Sequence, residues 1–268
     1  MSKENNSEMS FLDHLEELRW HIMRSFLSIA VFAVLAFVFK SILFDVIILG
    51  PSKPDFFTNR GLCWIAEVLN KPAFCINQNQ LDLQNINMAG QFSTHIWIAM
   101  ITGLILSFPY IFWEFWRFIK PALYPNEIKH SRGAIFFASS LFLVGVLFAY
   151  YVICPLSIEF LANYKVSESV DNIINLGSYI STVSSVVLAC GIMFELPMLI
   201  YFLAKIGIIS SGFLKKYRRH AVVLILSVSA IITPPDVLSM ILVFLPIIAL
   251  YEASIVIAKR VEKKNSKI

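Results

Sequence analysis

The sequence has little charge for its length. Asp, Glu, Lys and Arg make up 15% of its 268 residues, whereas a soluble domain usually carries about 25%. Hydrophobic residues make up 57%, and they form long runs separated by short charged stretches. This pattern excludes an ordinary soluble domain and is typical of membrane-spanning helices. A β-barrel would instead show short segments of alternating polarity.

Motifs of catalysis are also missing. The chain has no HExxH, GxSxG or P-loop sequence, and its five His residues show no metal-ligand spacing that a third ligand supports. We therefore expect no enzyme activity, no metal, no cofactor and no nucleic-acid partner. A cleaved signal peptide is not expected either, because residues 1–10 are polar and an acidic segment precedes the first apolar run.

Six apolar runs organise the chain, at residues 22–39, 92–112, 134–153, 179–209, 221–232 and 237–258. Crossing the hydrocarbon takes roughly 20 residues, so the fifth run is short. It either crosses with flanking residues or forms a re-entrant hairpin with the sixth run. We favour six spans and a single integral membrane domain over residues 1–268, because an even number of crossings separates the basic residues best.

The basic residues predict the orientation. Most of the 22 Lys and Arg residues fall at the termini and in one set of alternate loops, including the basic tail at 259–268. The opposite side holds four of these residues: Lys53, Arg60, Lys71 and Lys165. Lys40 lies near the first span. Since Lys and Arg accumulate on the cytoplasmic side, both termini are predicted to lie in the cytoplasm.

Cysteine is scarce, with four residues. Cys63 and Cys75 both fall in the first external loop. They form either a disulfide, as an oxidising compartment allows, or two unpaired buried thiols. Cys154 lies at the outer end of the third span, and Cys190 is interpreted as an ordinary small apolar residue.

A carboxylate inside the fourth apolar run is the residue that hydropathy argues against most strongly. Glu195 is flanked by apolar residues on both sides, and burying a carboxylate there costs at least a few kcal/mol. Pro197 follows, so we expect a kinked fourth helix that presents Glu195 to a concave surface. The alternative is a structural carboxyl that is protonated or hydrogen-bonded to a neighbouring helix.

Acidic residues also gather on the cytoplasmic side. Residues 1–21 are predicted to include an amphipathic surface helix that carries Asp13, Glu16 and Glu17. The loop after the second span adds Glu114 and Glu127. Such carboxylates are suited to a cationic peptide, because Glu binds Arg through paired hydrogen bonds. The alternative is a solvated helix face with internal Glu–Arg pairs.

Four motifs resemble those of the TatC family, the receptor subunit of the twin-arginine protein translocase. They occur in the family's order over nearly the whole chain: HLEELR (14–19), FWRFIKPALYPNE (115–127), FELP (194–197) and TPPD (233–236). The resemblance implies six helices in a glove-shaped bundle in the bacterial inner membrane. It also implies export of folded proteins, driven by the proton-motive force, with single-span TatA- and TatB-type subunits and a homo-oligomeric receptor complex.

The resemblance assigns roles to particular residues. Glu17 and Glu127 match the carboxylates that contact the two arginines of the signal peptide, and Arg19 and Phe118 match their neighbours in the same motifs. A second group matches the polar intramembrane and partner-contact positions: Glu195, Pro197, Asp236 and Met240.

Three features depart from the family pattern. His21 stands where a second basic residue is common, and Met240 stands where a polar residue is common. The first external loop is longer than expected.

Two other functions compete with the receptor: a proton- or ion-coupled small-solute transporter that uses Glu195, and a scaffold for other membrane subunits. The absence of an internal repeat argues against the transporter.

Overall fold

The computed structural model describes residues 11–72, 75–78, 81–119, 131–167, 169 and 172–265. The α-helices are α1 (Phe11–Val38), α2 (Phe57–Val68), α3 (Gly90–Ile119), α4 (Ser131–Phe148), α5 (Cys154–Asn163), α6 (Leu176–Phe194), α7 (Leu196–Lys205), α8 (Ser211–Lys216), α9 (Arg218–Ile232) and α10 (Val237–Asn265). The remaining elements are π-helical turns at Ile42–Ile48 and Ala149–Ile153, a 3₁₀ turn at Gly50–Ser52, and two short parallel strands, β1 (Leu83–Gln84) and β2 (Ile174–Asn175).

Within the described part of the chain, five helical segments are long and apolar enough to cross a membrane: Leu15–Val38, Gly90–Ile119, Gly133–Asn163, Leu176–Lys205 and Val237–Lys263. This confirms the predicted all-helical membrane fold, in which each helix satisfies its own backbone hydrogen bonds away from water. The fifth predicted run corresponds to α9, which has 15 residues. At 1.5 Å per residue α9 spans about 22 Å, less than the roughly 30 Å of hydrocarbon. The count of six spans therefore stays a prediction.

Helix α3 is longer than the sequence pattern indicated. The second run was expected to end at residue 112 and to lead into a loop, but α3 continues to Ile119. The loop prediction is wrong for this stretch. Glu114 and Trp116 are buried, at 1% and 3% exposure, so the segment is packed helix. The helix can continue through Glu114 because the carboxylate has polar neighbours on α1 and α3.

The chain divides into two compact units, which are described separately. The first combines Met1–Val38 with Ala99–Ser139, so that within the described residues it holds α1, most of α3 and the start of α4. Helices α1 and α3 approach closely at Gly103. A Cβ atom there would lie 2.8 Å from the carbonyl oxygen of Ile29 and 2.7 Å from the backbone nitrogen of Ala33. Small residues at helix contacts allow this kind of backbone packing in membranes.

The second unit contains the rest of the chain. Helices α4 and α6 pack through Gly145 and Gly191. A Cβ atom on Gly145 would lie 2.8 Å from the Cys190 carbonyl oxygen, and one on Gly191 would lie 2.8 Å from the Phe142 ring. Helix α10 packs against α7 and α9. A Cβ atom on Gly145 would also lie 2.8 Å from the side chain of Phe194, the last residue of α6 before the break at Glu195.

The loop between the first and second spans is an ordered part of the second unit. Cys63 and Cys75 form a disulfide, which settles the two alternatives left open by the sequence. The side chain of Asn59 is fully buried and donates to the carbonyl oxygens of Pro51 and Lys53 at 3.1 Å and 2.8 Å. Asn77 donates through its side chain to the carbonyl oxygen of Pro155 at 3.0 Å. The loop is therefore tied both to itself and to the start of α5.

Candidate functional site

A polar cleft of about 360 Å³ lies in the first unit. Helix α1 supplies one face of the cleft because positions four residues apart lie on the same side of a helix. The lining residues are Glu16, Glu17, Trp20, His21, Arg24 and Arg117. The predicted amphipathic start of the chain thus continues directly into a membrane-spanning helix and places two of its acids in a concave polar surface.

Glu114 lies buried beside this cleft and its carboxylate has three polar neighbours. The Tyr110 hydroxyl donates to Oε1 at 2.9 Å. Nδ1 of His21 contacts Oε2 directly, and the Arg24 guanidinium lies 3.8 Å from the same oxygen. A buried carboxylate requires such partners because desolvation otherwise makes its charge expensive. These contacts allow α3 to carry a charged residue in its packed part.

His21 connects the buried Glu114 with Glu17. Its ring is 5% exposed, and its second nitrogen, Nε2, lies 3.8 Å from Oε1 of Glu17. The Glu17 side chain is 36% exposed. Its other oxygen, Oε2, is enclosed and has no hydrogen bond to any residue that the structure describes. The carboxylate of Glu17 is therefore held at the cleft and retains capacity to accept hydrogen bonds from a cationic group.

The other predicted residues of this site have different positions. Phe118 is half-buried, and its ring meets the edge of His21 at a centroid distance of 6.0 Å. Arg19 is exposed, and its guanidinium lies 5.8 Å from the Trp20 ring centre. The structure therefore brings Phe118 to the Glu17–His21 pair and leaves Arg19 at the surface. Glu127 lies outside the described residues.

Sequence reasoning assigned the wrong place to Glu114 and gave too small a role to His21. The sequence places Glu114 in a loop and marks His21 only as a departure from the family pattern. The sequence does contain a signal for both residues. Each is ionisable and lies beside an apolar run. Each also follows a polar residue by four positions, and such pairs share one face of a helix: Glu17 for His21 and Tyr110 for Glu114. Their pairing across 93 positions of sequence requires tertiary packing that one sequence does not reveal.

The second site is the break in the fourth predicted span. Helix α6 ends at Phe194 and α7 begins at Leu196, with Glu195 between them and Pro197 in the first turn of α7. This confirms the predicted kink. The backbone carbonyl of Glu195 accepts from the amides of Met198 and Leu199, both at 2.9 Å. The helix direction can change here because Pro197 has no N–H group to donate.

The side chain of Glu195 is enclosed but poorly satisfied. Both carboxylate oxygens are buried, and neither makes a hydrogen bond of normal geometry within the described part of the chain, although the backbone of Phe142 lies near. A carboxylate in this state is typical of a functional position in a membrane protein.

Asp236 and Met240 lie at the start of α10. Asp236 is 5% exposed, and its Oδ2 accepts from the backbone N–H of Ser239 at 2.6 Å, as a helix N-cap does. Met240 is partly exposed, and its amide lies 3.2 Å from the carbonyl oxygen of Asp236. The Ser239 hydroxyl also lies 3.0 Å from the Ser157 hydroxyl on α5. The structure thus gives Asp236 a capping role.

The fold and these carboxylates define an all-helical integral membrane protein with a polar cleft and a carboxylate within a broken span. Residues 13–246 match the family described as Sec-independent protein translocase protein (TatC). The chain therefore belongs to the TatC family, as its four motifs predicted.

Individual relatives agree with this assignment. The chain is 42% identical to the Sec-independent protein translocase protein TatC of Blattabacterium sp. subsp. Periplaneta americana, over 98% of this chain and 100% of that protein. The protein of the same name from Campylobacter jejuni is 35% identical, with coverage of 92% and 93%. These matches support a translocase component and give no support to the solute-transporter alternative.

Solved structures show the same fold. A crystal structure of the twin arginine translocase receptor TatC has a TM-score of 0.70 with this chain at 29% identity and covers 93% of this chain and 99% of that one. A second crystal structure of that receptor, in DDM, has a TM-score of 0.71 at 30% identity, with coverage of 90% and 97%.

Proposed function

We propose that this chain is the core receptor of a twin-arginine translocase. It binds the twin-arginine signal peptides of folded precursor proteins at the cleft in its first unit. Together with TatA- and TatB-type subunits, it exports the precursors across the bacterial inner membrane at the expense of the proton-motive force. The observation that carries this proposal is the position of Glu17, whose side chain is 36% exposed on the wall of the polar cleft.

The chemistry of the cleft suits an arginine guanidinium. Glu17 offers a carboxylate that can accept paired N–H groups in one plane. His21 holds this carboxylate from one side, and Glu114 holds His21. Phe118 lies against His21 and offers an apolar surface to the signal peptide. Glu127 is proposed as the carboxylate for the second arginine, and Arg19 as a surface contact of the same peptide.

Glu195 is proposed to act at a later step. Its two oxygens are enclosed without hydrogen bonds of normal geometry among the described residues. A polar group on a partner helix or on the inserted signal would satisfy them. Pro197 shapes the broken helix that presents Glu195, and Asp236 and Met240 are proposed to mark a further contact with a single-span subunit.

The orientation and assembly remain parts of this proposal. The distribution of Lys and Arg supports six spans with both termini in the cytoplasm, so that the cleft faces the side where precursors are made. A homo-oligomeric receptor complex is proposed from the family resemblance.

Site-specific photo-crosslinking tests the proposal. A photoreactive residue is placed at position 16 or 20 of the full chain, which line the cleft beside Glu17, in membranes that also contain the partner subunits. Position 67 is the matched control, because Glu67 is exposed on helix α2. We expect positions 16 and 20 to crosslink a precursor with an Arg-Arg signal but not one with Lys-Lys. Equal crosslinking of both precursors, or crosslinking equal to that at position 67, would contradict the proposed site.

A further inference from the structure

Helix α2 carries an apolar stripe that the proposed receptor function does not use. Phe57, Trp64, Ile65 and Val68 are 79%, 65%, 39% and 66% exposed, and Leu69, directly after the helix, is 55% exposed. The spacings of 7, 8 and 11 residues from Phe57 place the first four on one face of a helix with 3.6 residues per turn. A helix on a water-facing surface would expose polar residues there.

The opposite face of α2 is fixed to the protein. Asn59 is fully buried with two hydrogen bonds to backbone carbonyl groups. Ala66 is 4% exposed, and Cys63 is joined to Cys75. The helix therefore cannot turn its apolar stripe inward without breaking the disulfide-linked packing. The fold therefore fixes the stripe in its exposed orientation.

The stripe is continuous with the surface of a membrane-spanning helix. The ring of Phe57 lies 6.2 Å from the ring of Tyr151, edge to face, and the Thr58 hydroxyl donates to the carbonyl oxygen of Tyr151. Tyr151 is 39% exposed and belongs to the span Gly133–Asn163. It lies two residues, or about 3 Å, before the end of the third apolar run at residue 153. Helix α2 thus begins at the depth where the outer leaflet of the membrane meets water.

We propose that α2 is an interfacial helix whose stripe of Phe57, Trp64, Ile65 and Val68 lies in the acyl–headgroup boundary of the outer leaflet. Trp and Phe are favoured at this depth because their rings are amphipathic or apolar and rigid. Arg60 is exposed on the edge of the stripe, where its guanidinium can reach lipid phosphates while its stem follows the apolar surface. The apolar stripe therefore contacts phospholipid.

Depth-dependent fluorescence quenching tests this inference. The full chain is reconstituted into phosphatidylethanolamine–phosphatidylglycerol vesicles with an environment-sensitive dye on an introduced cysteine. Val68→Cys reports on the stripe, and Glu67→Cys is its control, since Glu67 is exposed on the polar edge one residue away. The unsubstituted chain, whose free cysteines Cys154 and Cys190 are buried, gives the labelling background.

We expect a blue-shifted dye at position 68 that spin-labelled lipid quenches about threefold more strongly than the dye at position 67, as for an apolar face in the interface. Equal quenching at the two positions would overturn the inference. A dye at position 68 that is shielded from water but not quenched by lipid, with shielding lost on dilution of protein in lipid, would show a second protein copy on the stripe instead. Phe57→Cys replaces Val68→Cys, with Glu67→Cys again as its control, if Val68→Cys fails to fold.

Discussion

Glu114 and His21 form a buried pair that joins α3 to α1. Each member depends on the other, because a single ionisable group at such low exposure would lack compensation for its lost hydration. The pair also orders the site, since the free nitrogen of His21 faces Glu17 at 3.8 Å. The stability of the first unit and the geometry of the cleft therefore depend on the same contact.

Replacement of Glu114 by Ala is expected to destabilise the protein. The substitution leaves Tyr110 and His21 without their shared acceptor, and each buried unsatisfied polar group costs about 1–3 kcal/mol. A thermal-unfolding assay in detergent should show a clear fall in the apparent Tm. The control, Glu67→Ala at an exposed position, should leave it unchanged.

The double variant His21→Leu with Glu114→Leu separates pairing from packing. Removing both partners of a buried ion pair is often neutral, whereas removing one is strongly destabilising. We expect the double variant to be more stable than Glu114→Leu alone. Additive losses in the double-mutant cycle would show that the two side chains do not interact.

Replacement of Glu195 by Leu is expected to stabilise the protein and to abolish its function. Its oxygens are enclosed without hydrogen bonds of normal geometry among the described residues, so Glu195→Leu should raise the free energy of unfolding by about 1–3 kcal/mol. Export of a twin-arginine precursor should be lost in the same variant. Thermal unfolding and an export assay measure the two effects, and Met193→Leu near the end of α6 serves as the control. A less stable Glu195→Leu protein would instead support a structural carboxyl.

At the scale of elements, the contact between α1 and α3 depends on the missing side chain of Gly103. The backbone atoms of α1 that face it belong to a regular helix and cannot yield without moving the helix. We expect Gly103→Ala to destabilise the first unit by about 1–3 kcal/mol, as overpacking does.

Gly133 in α4 provides the matched control, because a Cβ atom there would meet nothing within 4 Å. Gly133→Ala should be neutral or stabilising by up to about 1 kcal/mol, since alanine favours the helix more than glycine does. Thermal unfolding of the two variants in the same detergent measures the difference. Equal Tm values for both would show that α1 and α3 are not in close contact.

The elements differ in how far their sequence predicts them. Long apolar runs predict the spans, and Glu195 with Pro197 predicts the break between α6 and α7, because both signals are local. The end of α3 was missed, because hydropathy counts Glu114 as a polar residue and cannot include its neutralising neighbours. The disulfide stayed open as well, because whether Cys63 and Cys75 meet depends on the fold of α2.

At the scale of the whole molecule, membership of the TatC family follows from four motifs spread along the chain and from the match over residues 13–246. The motifs predict that Glu17 is a binding residue but say nothing of how its side chain is held. The structure adds the sequence of contacts from Tyr110 through Glu114 and His21 to Glu17. Such a network is invisible in sequence, because its helices contribute residues about 90 positions apart.

Binding of a signal peptide to charge-reversed receptor is the measurement that tests the central claim most directly. The full chain in nanodiscs is titrated with an Arg-Arg signal peptide and compared with its Glu17→Lys variant and with Glu67→Lys, which makes the same change on helix α2. Loss of a hydrogen-bonded charge pair costs at least about 2 kcal/mol of binding free energy, so Glu17→Lys should raise the Kd about 30-fold or more. Glu67→Lys should bind as the unsubstituted chain does. An unchanged Kd for Glu17→Lys would contradict the account.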